Sequence, residues 1–130
     1  MKSATGILLI AHAPLASAFS RAASDIGLPV SHLAALDAAP GVSRANLFAA
    51  AKTLLANLRL ENCLVLTDLG GCSAPVTVAQ LLRGASATNV RIVTGLNMPM
   101  LATALSHLHR DLDSLAEHVA RRGADGTIAV

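Results

Sequence analysis

Short apolar runs alternate along the chain with longer segments in which apolar residues recur at helical spacing. The runs cover residues 7–11, 30–36, 63–67 and 90–94, and charged side chains are almost absent from them. Apolar runs of this length are typical of strands that are buried on both faces of a sheet. We therefore predict four strands at these positions.

The segments between the runs predict helices. The first helix is expected to stop at Gly27, and the second to begin at Ser43, whose side chain suits an N-cap. A third helix is predicted from about Pro75 to Arg83, because proline fits the first turn of a helix. Gly84 is then expected to end it.

The last third of the chain predicts two more helices. Asn97 suits the N-cap of a helix that starts at the following Met-Pro pair. A final helix carries apolar positions from Leu112 to Val119, and Gly123 and Gly126 are expected to bracket its end. Residues 127–130 are predicted to form a short extended tail, and residues 37–41 a turn.

This order of elements predicts an α/β fold. Strands that alternate with helices favour a doubly wound, mostly parallel four-stranded sheet with helices on both faces. The 130 residues suit one domain, residues 1–130, because the sequence contains no repeat, linker or low-complexity segment.

Composition excludes several classes of function. There is no Trp or Tyr, only two Phe, and the net charge is +2, so neither base stacking nor a phosphate-tracking groove is expected and we predict no nucleic-acid partner. Only 14% of residues are charged, against about 25% in typical domains, which hints at an oligomer interface.

The amino-terminal apolar run is too short to span a membrane, and we expect a cytoplasmic protein without membrane insertion. Cys63 is expected to be a core residue, and Cys72 lies in a loop.

The chemistry is expected at the carboxyl ends of the strands, because these ends meet at one edge of a parallel sheet and ligands bind there. His12 follows the first strand and Asp68 follows the third. A neutral imidazole can act as a nucleophile, and a carboxylate can fix its tautomer. By position alone, His12 is more often a surface or capping residue and Asp68 a turn residue; their shared edge favours a catalytic pair.

Several neighbours are candidates to hold a phosphoryl group on His12. The glycine at position 71 lets the backbone approach an anion closely, and the hydroxyls of Ser73 and Thr67 are possible donors. Asn97 starts a helix on the same edge. No metal site and no cofactor are expected, since neither the cysteines nor the histidines have a ligand spacing.

At these motifs the chain resembles the IIA component of the mannose class of the bacterial phosphoenolpyruvate-dependent sugar phosphotransferase system. The similar segments are residues 6–12, 35–37, 66–69 and 95–101, in this order. The resemblance implies that His12 accepts a phosphoryl group from the carrier protein HPr, at Nε2 with Nδ1 facing Asp68. It also implies transfer to a IIB partner, Ser73 as a phosphoryl ligand, and a homodimer that exchanges its carboxyl-terminal strand, here residues 127–130.

The site loop departs from the family pattern. Gly70 stands where the family has an aromatic residue, and Cys72, Ala74 and Val76 replace a glycine, a proline and an asparagine. Without a IIB segment in this sequence, two roles remain open: phosphoryl transfer to a separate IIB protein, or regulation by phosphorylation state.

Other functions are alternatives at this stage. A tetrapyrrole-type metal chelatase also has a strand that ends in histidine, but it needs a second ligand, which only His32, His107 or His109 could supply. We expect His32 within the second strand, His107 and His109 as solvated residues that point in different directions from a helix, and His118 on the polar side of the last helix. A non-catalytic anion-binding module and the phosphoryl-donor subunit of dihydroxyacetone kinase are the remaining alternatives.

Overall fold

Four parallel strands form the sheet at the centre of the computed structural model, which describes residues 5–130. They are β1 (Thr5–His12), β2 (Leu33–Ala38), β3 (Asn62–Thr67) and β4 (Asn89–Thr94), in the order β2-β1-β3-β4. The chain leaves β1 for β2 on one side and then crosses to β3 on the other. The switch point of the topology therefore lies between the ends of β1 and β3, where α/β sheets bind ligands.

Five helices cover the two faces of the sheet. They are α1 (Leu15–Asp25), α2 (Arg44–Leu58), α3 (Ala74–Ala85), α4 (Met98–Ser106) and α5 (Leu112–Asp125). The predicted α/β architecture is confirmed. None of the helices from residue 5 onward is both long and apolar enough to cross a membrane.

Side-chain alternation along β1 divides the core in two. Ile7 and Leu9 face a cluster with α1, α4 and α5, whereas Leu8 and Ile10 face a cluster with α2 and α3. All four side chains have no exposed surface. Burial on both faces explains why β1 is a continuous apolar run, and it makes this strand a rigid base for the residue at its tip.

The second strand differs from the prediction by about three residues. It spans Leu33–Ala38 rather than residues 30–36, because the backbone turns first, with the Leu33 N–H donating to Val30 O at 3.1 Å. Pairing with β1 begins at Ile7 and Leu33. Asp37, predicted in a turn, therefore lies inside the strand.

Two of the glycines predicted to end helices lie inside them, whereas Gly126 is the C-cap of α5 and Gly27 follows α1 with a φ of +88°. Gly84 is inside α3, which continues to Ala85, and Gly123 is inside α5. A Cβ on Gly123 would lie 2.9 Å from Met100 Cε and 3.1 Å from Met100 Cβ. This glycine therefore allows α5 to approach α4 closely, which sequence punctuation does not reveal.

The carboxyl-terminal tail is exposed. Within residues 5–130, residues 127–130 pair with no strand, and Ile128 is 74% exposed. Exchange of this segment with a partner, which the resemblance implies, stays a prediction.

Candidate functional site

His12 is the last residue of β1 and its side chain is 47% exposed. The five residues before it are fully enclosed, so the imidazole is presented at the surface by a deeply buried strand. The register pairs Ile10 with Thr67, which brings the end of β3 and the following Asp68 beside His12.

Asp68 binds both the ring and the backbone of His12. Its Oδ2 lies 2.9 Å from His12 Nδ1 and accepts the His12 backbone N–H at 3.1 Å. Its Oδ1 accepts the backbone N–H of Leu69 at 2.9 Å. The predicted contact between His12 and Asp68 is present, across 56 positions of sequence.

The carboxylate of Asp68 is kept ionised by these donors. Burial acts to raise its pKa, but the hydrogen bonds from the His12 ring, the His12 backbone and the Leu69 N–H, together with the charge of His12, lower the pKa below its ordinary value. An ionised carboxylate only accepts hydrogen bonds, so Nδ1 of His12 must carry the proton. In the neutral ring, Nε2 then has the free lone pair.

The loop after β3 is folded back on itself. Ser73 Oγ donates to the Leu69 carbonyl at 3.0 Å, and Gly71 adopts a φ of +75°, which favours glycine. Ser73 is also the N-cap of α3, but its side chain makes no capping bond there. Its hydroxyl is therefore held close to the start of α3 by a single contact.

The third segment of the predicted site is tied to the same edge. The Gly95 N–H donates to Asp68 O at 3.1 Å and the Leu96 N–H donates to Thr67 O at 2.9 Å. Asn97 caps α4 as predicted, with its Oδ1 accepting the Met100 N–H at 2.9 Å. Its Nδ2 donates to Gly123 O at 3.0 Å. Both polar atoms of this side chain are therefore engaged in the scaffold.

Thr67 has a different environment from the other predicted phosphoryl ligands. Its side chain is fully buried, and its Oγ1 has no hydrogen-bond partner among residues 5–130.

The two cysteines differ in exposure. Cys72 is exposed in the loop, whereas burial raises the pKa of the Cys63 thiol to about 12 despite a backbone hydrogen bond from Leu8 that lowers it. Cys63 is thus an inert core residue, as predicted.

The remaining histidines lie towards the amino ends of the strands, opposite His12. His32 precedes β2 rather than lying in it, and its carbonyl accepts the Ile7 N–H at 2.9 Å. His107 ends α4, where its Nδ1 lies 2.8 Å from Thr103 O. Its ring centroid is 6.2 Å from that of His109 and 5.0 Å from that of His118. His107 is half-buried, so the prediction of a solvated residue was wrong for it.

This placement removes the second ligand that a chelatase would need beside His12. Leu108 O accepts the Thr5 N–H at 3.3 Å, so the His107 region lies at the start of β1. Seven residues of strand separate it from His12, roughly 23 Å at 3.3 Å per residue. Within residues 5–130 no three His, Cys, Asp or Glu side chains are grouped so as to hold a metal ion.

One contact close to His12 was not predicted from the sequence. Asp37 Oδ1 accepts the backbone N–H of Ser17 at 3.1 Å, and its Oδ2 accepts the Ser17 hydroxyl at 2.5 Å. The only signal for it is the Ala-Leu-Asp segment at the end of β2, which is also part of the family resemblance.

Comparison with solved structures places this fold among known proteins. The phosphotransferase system component EIIA from Streptococcus agalactiae has a TM-score of 0.87 at 21% identity, over 96% of each chain. The mannose/sorbose specific IIA subunit from Enterococcus faecalis has a TM-score of 0.87 at 22% identity, over 98% of this chain and 95% of that one. At these identities the likeness shows the fold alone.

A third solved structure is similar at slightly higher identity. The PTS IIA protein associated with the fucose utilization operon from Streptococcus pneumoniae has a TM-score of 0.80 at 25% identity, over 99% of this chain and 96% of that one. Among proteins with curated functions, none matches the chain.

A comparison with models of protein families gives the decisive match. The mannose-type EIIA model, described as the PTS system fructose IIA component, matches residues 6–121, which include all four strands apart from the first residue of β1. The chain therefore belongs to the IIA component family of the sugar phosphotransferase system, in its mannose class.

Proposed function

We propose that this protein is a phosphohistidine carrier, with His12 as the residue that accepts and passes on the phosphoryl group. Membership of the IIA family supports phosphoryl transfer in general. The observation that carries the assignment to His12 is the 2.9 Å contact between its Nδ1 and Asp68 Oδ2, beside an exposed ring.

The proposed reaction follows from the tautomer that Asp68 selects. The Nε2 lone pair of His12 attacks the phosphorus of a donor phosphohistidine on HPr; the new N–P bond forms as the donor N–P bond breaks, and the donor nitrogen keeps the electron pair. The Nδ1 proton stays in place, and the ring becomes a cation. The Asp68 carboxylate, already ionised, stabilises that cation without moving.

The loop after β3 is proposed to receive the phosphoryl oxygens. Ser73 Oγ can exchange its bond with Leu69 O for a bond to phosphate, and the open backbone at Gly71 allows close approach. Thr67 and Asn97 are proposed to act less directly, because the first is enclosed and the second is engaged in capping.

A protein donor fits the surface around His12. Leu15 is 41% exposed and Leu69 is 60% exposed, and these side chains follow His12 and Asp68 closely in sequence. Exposed apolar side chains at the rim of a polar centre are typical of a docking surface. We propose that HPr, and in turn a IIB protein, docks here in the cytoplasm; a regulatory role of the phosphorylated state uses the same chemistry.

The test is phosphorylation by purified components. Incubation with phosphoenolpyruvate, enzyme I and HPr is expected to add one phosphoryl group that is acid-labile and base-stable, as measured by intact mass. The modification should be lost in His12→Ala and kept in His118→Ala, a matched loss of an imidazole elsewhere. An unmodified wild-type protein at high phospho-HPr would reject the proposal, and subsequent discharge by a mannose-class IIB protein separates the transfer role from the regulatory one.

A further inference from the structure

The first helix begins without a cap of its own. Pro14 is the N-cap residue of α1 and makes no side-chain capping bond, although the first backbone N–H groups of a helix have no partner inside it. Asp37, which lies 20 positions away on β2, supplies the missing acceptor through Oδ1 to the Ser17 N–H. Its Oδ2 accepts the Ser17 hydroxyl, which also lies 3.2 Å from Pro14 O.

The position of Asp37 in the sheet explains this contact. Leu33 and Ala35 pack against the core cluster that contains α1, so alternation along β2 turns Asp37 towards the same face. The register pairs Asp37 with Ala11 and Ala38 with His12. The Ala13 N–H also donates to Ala38 O at 3.0 Å. Residues 13–14 link His12 to α1, and the end of β2 holds this link on both sides. Ala38 binds its first residue, and Asp37 binds Ser17 in the first turn of α1.

From these contacts we infer that Asp37 is a positioning residue for His12; the inference rests on the proposed phosphocarrier function. Asp68 fixes the ring and backbone of His12 from β3, and Asp37 fixes the turn that follows it from β2. The two carboxylates together restrain His12 from both neighbouring strands. Asp37 touches neither the reacting nitrogen nor the phosphoryl group.

A second consequence concerns the electrostatics of the site. Asp37 places a negative charge at the positive end of α1, where an anion would otherwise be favoured. The incoming phosphoryl group is thus left to the loop of residues 69–73. The start of α1 and the loop between β3 and α3 thus have different roles. Asp37 neutralises the start of α1, which positions His12, whereas the loop receives the phosphoryl dianion.

The experiment reads the tautomer of unphosphorylated His12 by long-range ¹H–¹⁵N NMR in wild type, Asp37→Ala and Asp37→Asn. Wild type should show the Nδ1–H form. In Asp37→Ala the Nε2–H form should rise several-fold, because the turn is released. Asp37→Asn should resemble wild type, since its amide oxygen accepts the Ser17 N–H and its amide nitrogen donates to the Ser17 hydroxyl, which turns to Pro14 O.

Two controls keep the result decisive. Asp25→Ala removes an acid at the other end of α1 and should leave the spectrum unchanged. Ser17→Ala keeps the backbone hydrogen bond to Asp37, so its population of the Nε2–H form should lie between those of wild type and Asp37→Ala. It replaces Asp37→Ala if that variant does not fold. The inference is overturned if His12 keeps the wild-type tautomer in Asp37→Ala, or in Ser17→Ala if that variant has to be used instead. It is also overturned if the Asp37→Asn spectrum matches that of Asp37→Ala.

Phosphoryl transfer supplies the second readout. With phospho-HPr as donor, kcat of Asp37→Ala should fall about 10-fold, less than the ~10²-fold that a 1 Å misplacement costs. KM should change much less than kcat, because Leu69 lies outside the released turn and remains exposed. Loss confined to KM overturns the positioning role. If wild type itself is not phosphorylated, the proposed function fails, and the tautomer spectra still decide whether Asp37 positions His12.

Discussion

At the scale of single residues, one oxygen atom decides the chemistry. Asp68 Oδ2 faces two N–H donors of His12, the backbone and Nδ1, while Oδ1 faces a third from Leu69. An asparagine at this position can offer one oxygen to these three donors and brings two more N–H groups. In either orientation of the amide, one of its N–H groups faces an N–H group of His12 or Leu69.

This geometry predicts the effect of Asp68→Asn on phosphoryl transfer. The amide should drive the His12 ring towards the Nε2–H form, which has no lone pair at the exposed nitrogen. We expect the transfer rate from phospho-HPr to fall about 10- to 100-fold, the usual cost of losing a partner that orients a histidine. Asp113→Asn is the matched control, because its ion pair with Arg91 is exposed and far from the site in sequence. Equal rates for the two variants would contradict the role of Asp68.

The same carboxylate predicts a dependence of stability on pH. The pKa of Asp68 is lowered in the folded protein, so its contribution to the free energy of unfolding is fully present above the unfolded pKa of about 3.9. That contribution is lost as the pH falls through the lower folded-state value. In urea titrations, the stability difference between wild type and Asp68→Asn should shrink below about pH 4. A difference that stays constant to low pH would show that Asp68 has no depressed pKa.

At the scale of elements, the sequence predicts caps better than it predicts ends. Ser43 and Asn97 each accept the N–H three residues on, at 3.0 Å and 2.9 Å, as their residue types suggest. Glycine is ambiguous, because it both ends helices and allows close packing. α3 continues one residue past the predicted end at Gly84, and the start of β2 was misplaced because Val30 and Leu33 are apolar although residues 30–33 form a turn.

Two glycines within helices make a matched pair for measurement. A Cβ on Gly84 meets nothing within 4 Å, whereas one on Gly123 collides with Met100. Gly84→Ala should therefore stabilise the protein by about 0.5–1 kcal/mol through helix propensity. Gly123→Ala should destabilise it by about 1–3 kcal/mol through overpacking. Chemical denaturation checks both, and a stabilising Gly123→Ala would mean that α4 and α5 are not in close contact.

At the scale of the whole molecule, the sheet brings together residues that the sequence separates. The contact between His12 and Asp68 could be predicted because parallel strands end at one edge. The role of Asp37 could not be predicted, since it depends on the position of β2, whose start was misplaced by about three residues. Alternation along β3 places Thr67 on the same face as Cys63 and Val65, which pack against α2 and α3, and its full burial was not predicted.

The oligomeric state belongs to this scale too. β4 is at the end of the strand order, so among residues 5–130 no strand pairs with its outer side, and residues 127–130 are exposed beyond α5. We propose a homodimer in which this tail pairs with the partner. Light scattering should show a dimer for the full chain, and a monomer after truncation at Gly126. A monomeric full chain, or a dimer that survives truncation, would contradict the exchange.

The most direct test of the account identifies the phosphorylated atom. Long-range ¹H–¹⁵N NMR of the protein after incubation with phospho-HPr distinguishes the two ring nitrogens of His12. We predict phosphorus on Nε2 and a proton retained on Nδ1, opposite Asp68. Phosphorus on Nδ1, or on any residue other than His12, would contradict it.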